Sequence, residues 1–136
     1  MSDSTLRAWA YLSGVVEPPC VELAGLVDRV GPIEAAERVR RGEVNDNLAR
    51  HTDARREIDR VTDDLELLAR RGGRLITPDD DEWPLLALAA FGSVAVAAKP
   101  RGRPPLVLWA VGPARLDETA QRAAAVVGTR AATSYG

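Results

Sequence analysis

Glycine and proline cut the first part of the chain into short apolar-periodic segments, and this punctuation constrains the fold more than any other feature. Leu6, Trp9, Ala10 and Leu12 fall on one helical face, with Gly14 placed as a stop. Glu17-Pro18-Pro19 opens a second segment whose stripe is Val21, Leu23, Leu26, Val27 and Val30, ending at Gly31. Its prolines are expected in the first helical turn, where the missing amide would have no partner anyway. Pro32 starts a third helix carrying Ile33, Ala36 and Val39, closed by Arg40-Arg41-Gly42. The spacing of Ala54, Ile58, Val61, Leu65 and Leu68 then predicts one long helix from about Thr52 to Arg71. Thr52 or Asn47 would cap it, and Arg70-Arg71-Gly72-Gly73 would end it.

Beyond Gly73 the pattern changes. Arg74-Leu75-Ile76-Thr77 reads as a short strand, Pro78-Asp79-Asp80-Asp81-Glu82 as an acidic turn, and Trp83-Pro84-Leu85-Leu86 as the first turn of a helix. Ala89 to Arg103 is small, Gly-containing and Pro-Arg-Gly-Arg-terminated, and is expected to be a mobile loop. Two apolar runs follow, Leu106 to Val111 and Ala123 to Val127. Neither alternates, so both suit strands buried on two faces of a helix-covered sheet. The expected class is α+β: an all-α domain over residues 1–73, then the first strands of an α/β domain over 74–136.

Apolar residues make up 46% of the chain and charged residues 28%, enough to build a core and too little excess charge for wholesale disorder. A formal net charge of −2 provides no global field to draw the molecule to DNA or to an anionic membrane. Its distribution is uneven: residues 76–98 carry four acidic groups and no basic ones, whereas 99–136 carry six basic and two acidic. Lys99 is the only lysine, an Arg bias that fits a GC-rich coding sequence as well as it fits phosphate recognition. The single Cys20 rules out an intramolecular disulfide and suggests a cytoplasmic home. The N-terminus is polar, so no signal peptide is expected, and the Ala-rich run Leu85 to Ala98 is too short to span a bilayer.

Several residues invite a functional reading that a structural one outweighs. His51 precedes a helix, has no Cys or second His for a metal site and reads as a surface residue; Cys20, near an apolar helix start, reads as a small buried or half-buried residue. Asp79-Asp80-Asp81-Glu82 resembles a cation site less than it does a solvated helix start. Trp9, Trp83 and Trp109 could stack bases but suit core packing better. Val30-Gly31-Pro32-Ile33-Glu34 has the look of a helix-hairpin-helix turn, yet Glu34 and Glu37 would repel phosphate there. No nucleophile and base are paired by spacing, so neither catalysis nor a metal or other cofactor is expected.

The most informative segment is the last: Ala125-Val126-Val127-Gly128-Thr129-Arg130-Ala131-Ala132-Thr133-Ser134-Tyr135-Gly136. An apolar strand ending in glycine and small hydroxyl residues is how open α/β folds place a phosphate, and Arg130 adds a charge at that point. On residue chemistry alone a plain turn is the better reading. The segment resembles the opening of the Rossmann-like domain of the DprA/Smf family of DNA-processing proteins. The order of the features before it is similar as well: a helical domain, Arg71-Gly72-Gly73-Arg74-Leu75-Ile76-Thr77, Trp83-Pro84 where the family shows Tyr-Pro, and Pro104-Pro105-Leu106-Val107-Leu108.

That resemblance implies a sterile-alpha-motif-like helical domain, akin to helix-hairpin-helix modules, ahead of an extended Rossmann-like domain. It implies a non-enzymatic cytoplasmic protein that binds single-stranded DNA and loads a RecA-type recombinase during natural transformation, as a homodimer when complete. Arg130 matches the family's phosphate-contacting arginine, and Gly128, Thr129, Thr133, Tyr135 and Gly136 match the loop that shapes the site. The sequence stops where the next helix should begin, before a second glycine-rich loop, so residues 104–136 are expected to be poorly supported and DNA binding deficient. The loop from Ala89 is also longer than the family pattern. The alternatives are the start of a nucleotide-binding Rossmann enzyme of phosphoribohydrolase type, against which the helical front domain argues, and a helical protein-interaction module.

Overall fold

The computed structural model describes residues 2–92 and 102–123. Helix α1 (Asp3–Val15) begins where the Ser2 hydroxyl accepts a hydrogen bond from the Thr5 amide at 3.2 Å. It buries Ala8, Trp9, Ala10, Tyr11, Leu12 and Val15, apolar almost all round, as expected of a helix that others pack around. The helix runs through Gly14 and does not stop there. The burial of Val15 and Val16 just beyond offsets the roughly 1 kcal/mol that a mid-helix glycine costs.

Helix α2 (Val21–Val30) starts after the two prolines, with Cys20 as its N-cap residue. A residue before proline is pushed out of the helical region, so Pro18 is barred from a first turn that includes Pro19. Gly31, at φ 84°, ends α2 and leads directly into α3 (Pro32–Arg41), which has proline in its first turn as expected. Helix α1 packs on α3, and α2 on α3 and on α4 (Asp46–Thr52).

The single long helix expected from Thr52 to Arg71 is two helices, α4 and α5 (Val61–Arg70), and Asn45 caps the first of them through Oδ1 at 2.9 Å from the Leu48 amide. The break has identifiable causes. The Arg56 carbonyl accepts the Tyr11 hydroxyl at 2.6 Å, and the Arg56 guanidinium donates to the Arg40 carbonyl at 3.0 Å. Asp59 Oδ1 then accepts the Val61 amide at 3.1 Å and restarts the helix. Ala54 and Ile58, the first half of the apolar stripe, are exposed, Ile58 by 57%. Val61 and Leu68, its second half, are buried.

Helix α5 ends at Gly72-Gly73, and each glycine has its own reason. Gly72 takes φ 69°, a left-handed value. A Cβ on Gly73 would lie 2.4 Å from Leu68 Cδ1 and 2.7 Å from the Ala110 carbonyl oxygen. Strand β1 (Gly73–Ile76) pairs antiparallel with β2 (Leu108–Val111), Gly73 opposite Val111 and Ile76 opposite Leu108. Between them lie α6 (Leu85–Leu88) and a 3-10 turn, Ala89–Gly92; after β2 come α7 (Leu116–Thr119) and a second 3-10 turn, Ala120–Arg122.

Helices with one small antiparallel sheet make the fold α+β. Strand β2 is not buried on both faces as its apolar run suggested: Trp109 is 40% and Val111 65% exposed. With two strands in the described sheet, β2 has one paired edge and one side facing away from the core. The buried cluster reaches from α1, α2 and α3 through Leu48, Val61 and Leu68 to Leu75 and Val107. Among the described residues no helix is long and apolar enough to cross a membrane.

Candidate nucleic-acid interface

Gly128, Thr129, Arg130, Thr133, Tyr135 and Gly136 lie outside the described residues, as does the expected strand after Ala123. Most of the Ala89 to Arg103 loop lies outside them too. Among the described residues, one side chain organises the segments around the sheet. Arg74 on β1 donates through Nε to Glu82 Oε2 at 2.7 Å and through Nη2 to Glu82 Oε1. It also reaches the carbonyls of Gly112 (2.6 Å) and Ala114 (2.8 Å), while Glu82 Oε1 accepts the Leu116 amide at 2.9 Å.

This fork ties β1, the acidic turn and the segment after β2 into one unit. The hydrogen bond from Arg74 holds the Glu82 carboxyl down at about 2, helped by the Leu116 amide, and the same pairing raises Arg74 above its ordinary value. Asp80 closes the turn, its Oδ2 accepting the Thr77 amide at 2.7 Å. The acidic stretch is thus not a solvated helix start: Asp80 and Glu82 are both committed to the fold. Nothing in the sequence spacing signals the Arg74 to Glu82 pair, which forms only when the turn after β1 folds back on the strand.

Four arginines of the helical region also face carboxylates. Arg38 pairs with Glu34 and Arg41 with Glu37, both at 2.9 Å along α3; Arg40 faces Asp59 at 3.9 Å and Arg56 faces Asp53 at 3.7 Å. After β2, Arg115 pairs with Asp117 at 3.1 Å, which lowers the Asp117 carboxyl and raises Arg115. Such surface pairs add little stability, but they neutralise the local positive charge that a phosphate would need.

The Gly31-Pro32 turn is a tight connection between packed helices. The Gly31 amide is used at 2.8 Å on the Val27 carbonyl, and Pro32 has none to offer. Trp9 is a core residue, buried in α1, and its Nε1 finds no partner among the described residues. Trp83 and Trp109 line, with Trp9, an apolar cavity of about 660 Å³ between the helices and β2.

His51 is about half exposed and Cys20 half-buried, as expected. The sequence did not show that they are neighbours. Packing of α4 on α2 brings the Cys20 thiol, the Glu22 carboxylate and the His51 imidazole within 4.8 Å of one another. The thiol donates to Glu22 Oε2 at 3.6 Å, and burial pushes its titration up. His51 Nε2 lies 3.9 Å from the same oxygen.

Compared with known proteins, the chain is 73% identical over all 136 residues to a protein called "Putative DNA processing protein DprA" in Mycobacterium tuberculosis strain CDC 1551 / Oshkosh, and equally to one of that name in strain ATCC 25618 / H37Rv. It covers 100% of this chain and 35% of each of those proteins, so the chain spans about a third of their length. The resemblance to the DprA/Smf family read from the residues is borne out at that level. No family model matches, and no solved structure matches.

Proposed function

We propose that the chain is part of a DNA-processing protein that binds single-stranded DNA without catalysis, through a loop centred on Arg130, and delivers it to a recombinase. In this reading residues 1–73 are a sterile-alpha-motif-like module and 74–136 the beginning of a Rossmann-like DNA-binding domain that dimerises in the complete protein. The observation that carries it is the 73% identity, across every residue of the chain, with proteins named for DNA processing. Two features support it. Four arginines of the helical region, Arg38, Arg40, Arg41 and Arg56, face carboxylates, and the stretch from Lys99 onward keeps a basic excess even though Arg115 pairs with Asp117. An arginine at a strand-end turn also suits a phosphate, which its planar fork grips without reading sequence.

The test is a salt titration of binding to a labelled single-stranded oligonucleotide, made on the full-length protein because this chain spans about a third of its relatives' length. Affinity should fall steeply and linearly on a log–log plot as salt rises. Arg130→Ala should weaken binding uniformly across sequences and lower the slope by about one. Unchanged affinity removes Arg130 from the site, and binding of a mononucleotide in place of the oligonucleotide would point to the phosphoribohydrolase alternative. The 136-residue chain by itself should bind the oligonucleotide weakly.

A further inference from the structure

We infer that Cys20, Glu22 and His51 form a site for one thiophilic divalent cation of the zinc type, at the junction of α2 and α4. The three groups come from the N-cap of α2, its first turn and the last turn of α4. They are the thiolate, carboxylate and imidazole donors that zinc takes, and their softness disfavours magnesium or calcium.

The spacing fits. Bonds of about 2.0–2.3 Å in a tetrahedral site put neighbouring ligand atoms about 3.3–3.6 Å apart. The thiol sulfur is 3.6 Å from Glu22 Oε2, His51 Nε2 is 3.9 Å from the same oxygen, and all three atoms lie within 4.8 Å of one another. A shift of about 1 Å in half-exposed side chains closes the set around an ion. The hydrogen that the thiol now shares with Glu22 is the one the metal would replace: a sulfur–metal bond forms, the S–H bond breaks, and the proton passes to solvent.

Three protein donors leave a fourth position for water or a donor from another molecule, the pattern of an open site as opposed to a closed structural one. The adverse neighbour is Arg50, whose charge acts on Glu22; its guanidinium is engaged with Asn47 Oδ1 and exposed, so solvent screens it. A bound ion would pin α4 to the start of α2, the two elements otherwise joined by a modest contact.

Cobalt(II) is the probe, titrated into the reduced 136-residue chain and followed by absorption, with zinc used to displace it. The expected result is saturation at one cobalt per chain, a thiolate-to-cobalt charge-transfer band, and loss of that band on adding an equivalent of zinc. Cys20→Ser should abolish the band. His51→Ala, at an exposed position, and Glu22→Gln, at a partly exposed one, checked by circular dichroism for an intact fold, should each weaken binding by about tenfold or more, at least the effect of losing a supporting second-layer contact. Absence of the band overturns the inference. So does a stoichiometry of one metal per two chains, which would mean thiols bridging between molecules, or an affinity unchanged in His51→Ala and Glu22→Gln, which would mean adventitious binding to the sulfur alone.

Discussion

Replacing Glu82 by glutamine removes the charge at the centre of the Arg74 clamp while keeping the shape of the side chain. The carboxyl sits at about 2 against an ordinary 4.5. At about 1.4 kcal/mol per pH unit that displacement caps its contribution near 3 kcal/mol. Arg74 remains a third exposed and Glu82 about half that, so solvent screening brings the expected cost of the substitution to about 1–2 kcal/mol. The amide oxygen of glutamine can still accept from Leu116, so the loss falls on the salt bridge and one arm of the fork. A depressed carboxyl stabilises the fold above its unfolded value and loses that contribution as pH falls toward its folded value. The penalty of Glu82→Gln should therefore be full at neutral pH, begin to shrink below about pH 4.5, and drop under half by about pH 3. Urea unfolding followed by tryptophan fluorescence suits the measurement, since Trp83 adjoins Glu82 and Trp109 lies on the strand paired with β1. A penalty that stays the same from neutral pH down to about pH 3, or one below about 0.3 kcal/mol at neutral pH, would mean that the Glu82 charge does not hold the clamp.

Gly73→Ala should destabilise the chain by about 1–3 kcal/mol, because a Cβ there meets the Ala110 backbone oxygen as well as the movable end of Leu68; a change in thermal midpoint indistinguishable from zero would mean the β1 and β2 backbones can separate without cost. The broken helix predicts a contrast within the apolar residues: Leu12→Ala, fully buried, should cost about 2–5 kcal/mol. Ile58→Ala, more than half exposed between α4 and α5, should cost about 0.5 kcal/mol or less, and a large loss at Ile58 in denaturant unfolding would argue for the continuous helix instead.

What the sequence made legible is what local chemistry decides. Gly31-Pro32 and Gly42 mark real helix ends, because a positive φ and a proline first turn are properties of single residues. Arg74 to Ile76 is a strand within one residue of its expected span. The failures share a different origin. The stripe through Ala54, Ile58, Val61, Leu65 and Leu68 is a correct helical period, but the Arg56 carbonyl is claimed by Tyr11, distant in sequence, and Asp59 offers a new cap. A long-range hydrogen bond of about 1 kcal/mol, together with a side-chain cap, is enough to outweigh the propensity of a few exposed residues. The same holds for Cys20 and His51: no spacing in the chain signals that α4 will set an imidazole beside the N-cap of α2. For the proposed DNA site the position is reversed. Its legibility rests on the motif around Arg130, which lies outside the described residues, and on identity with relatives, while the described part shows what arginines such as Arg74 and Arg56 do.

That last point bears on how the abundance of arginine should be understood. A chain with seventeen arginines and one lysine invites the idea of a nucleic-acid surface, or of nothing more than base composition. The structure gives a third use. Arg74 satisfies a carboxylate and two carbonyls at once, and Arg56 caps the end of α3 through the Arg40 carbonyl while its own carbonyl receives Tyr11. A lysine at either position would keep the charge but could not direct several donors in one plane, so these are places where Arg and Lys are not exchangeable. Arginine content in this chain therefore reflects at least the fastening of irregular segments, and phosphate binding is the separate role proposed above for Arg130. Only residues that carry no fastening duty can be assigned to that role, which is why the paired arginines of α3 and β1 are poor candidates for DNA contact and the basic stretch toward Arg130 is a better one.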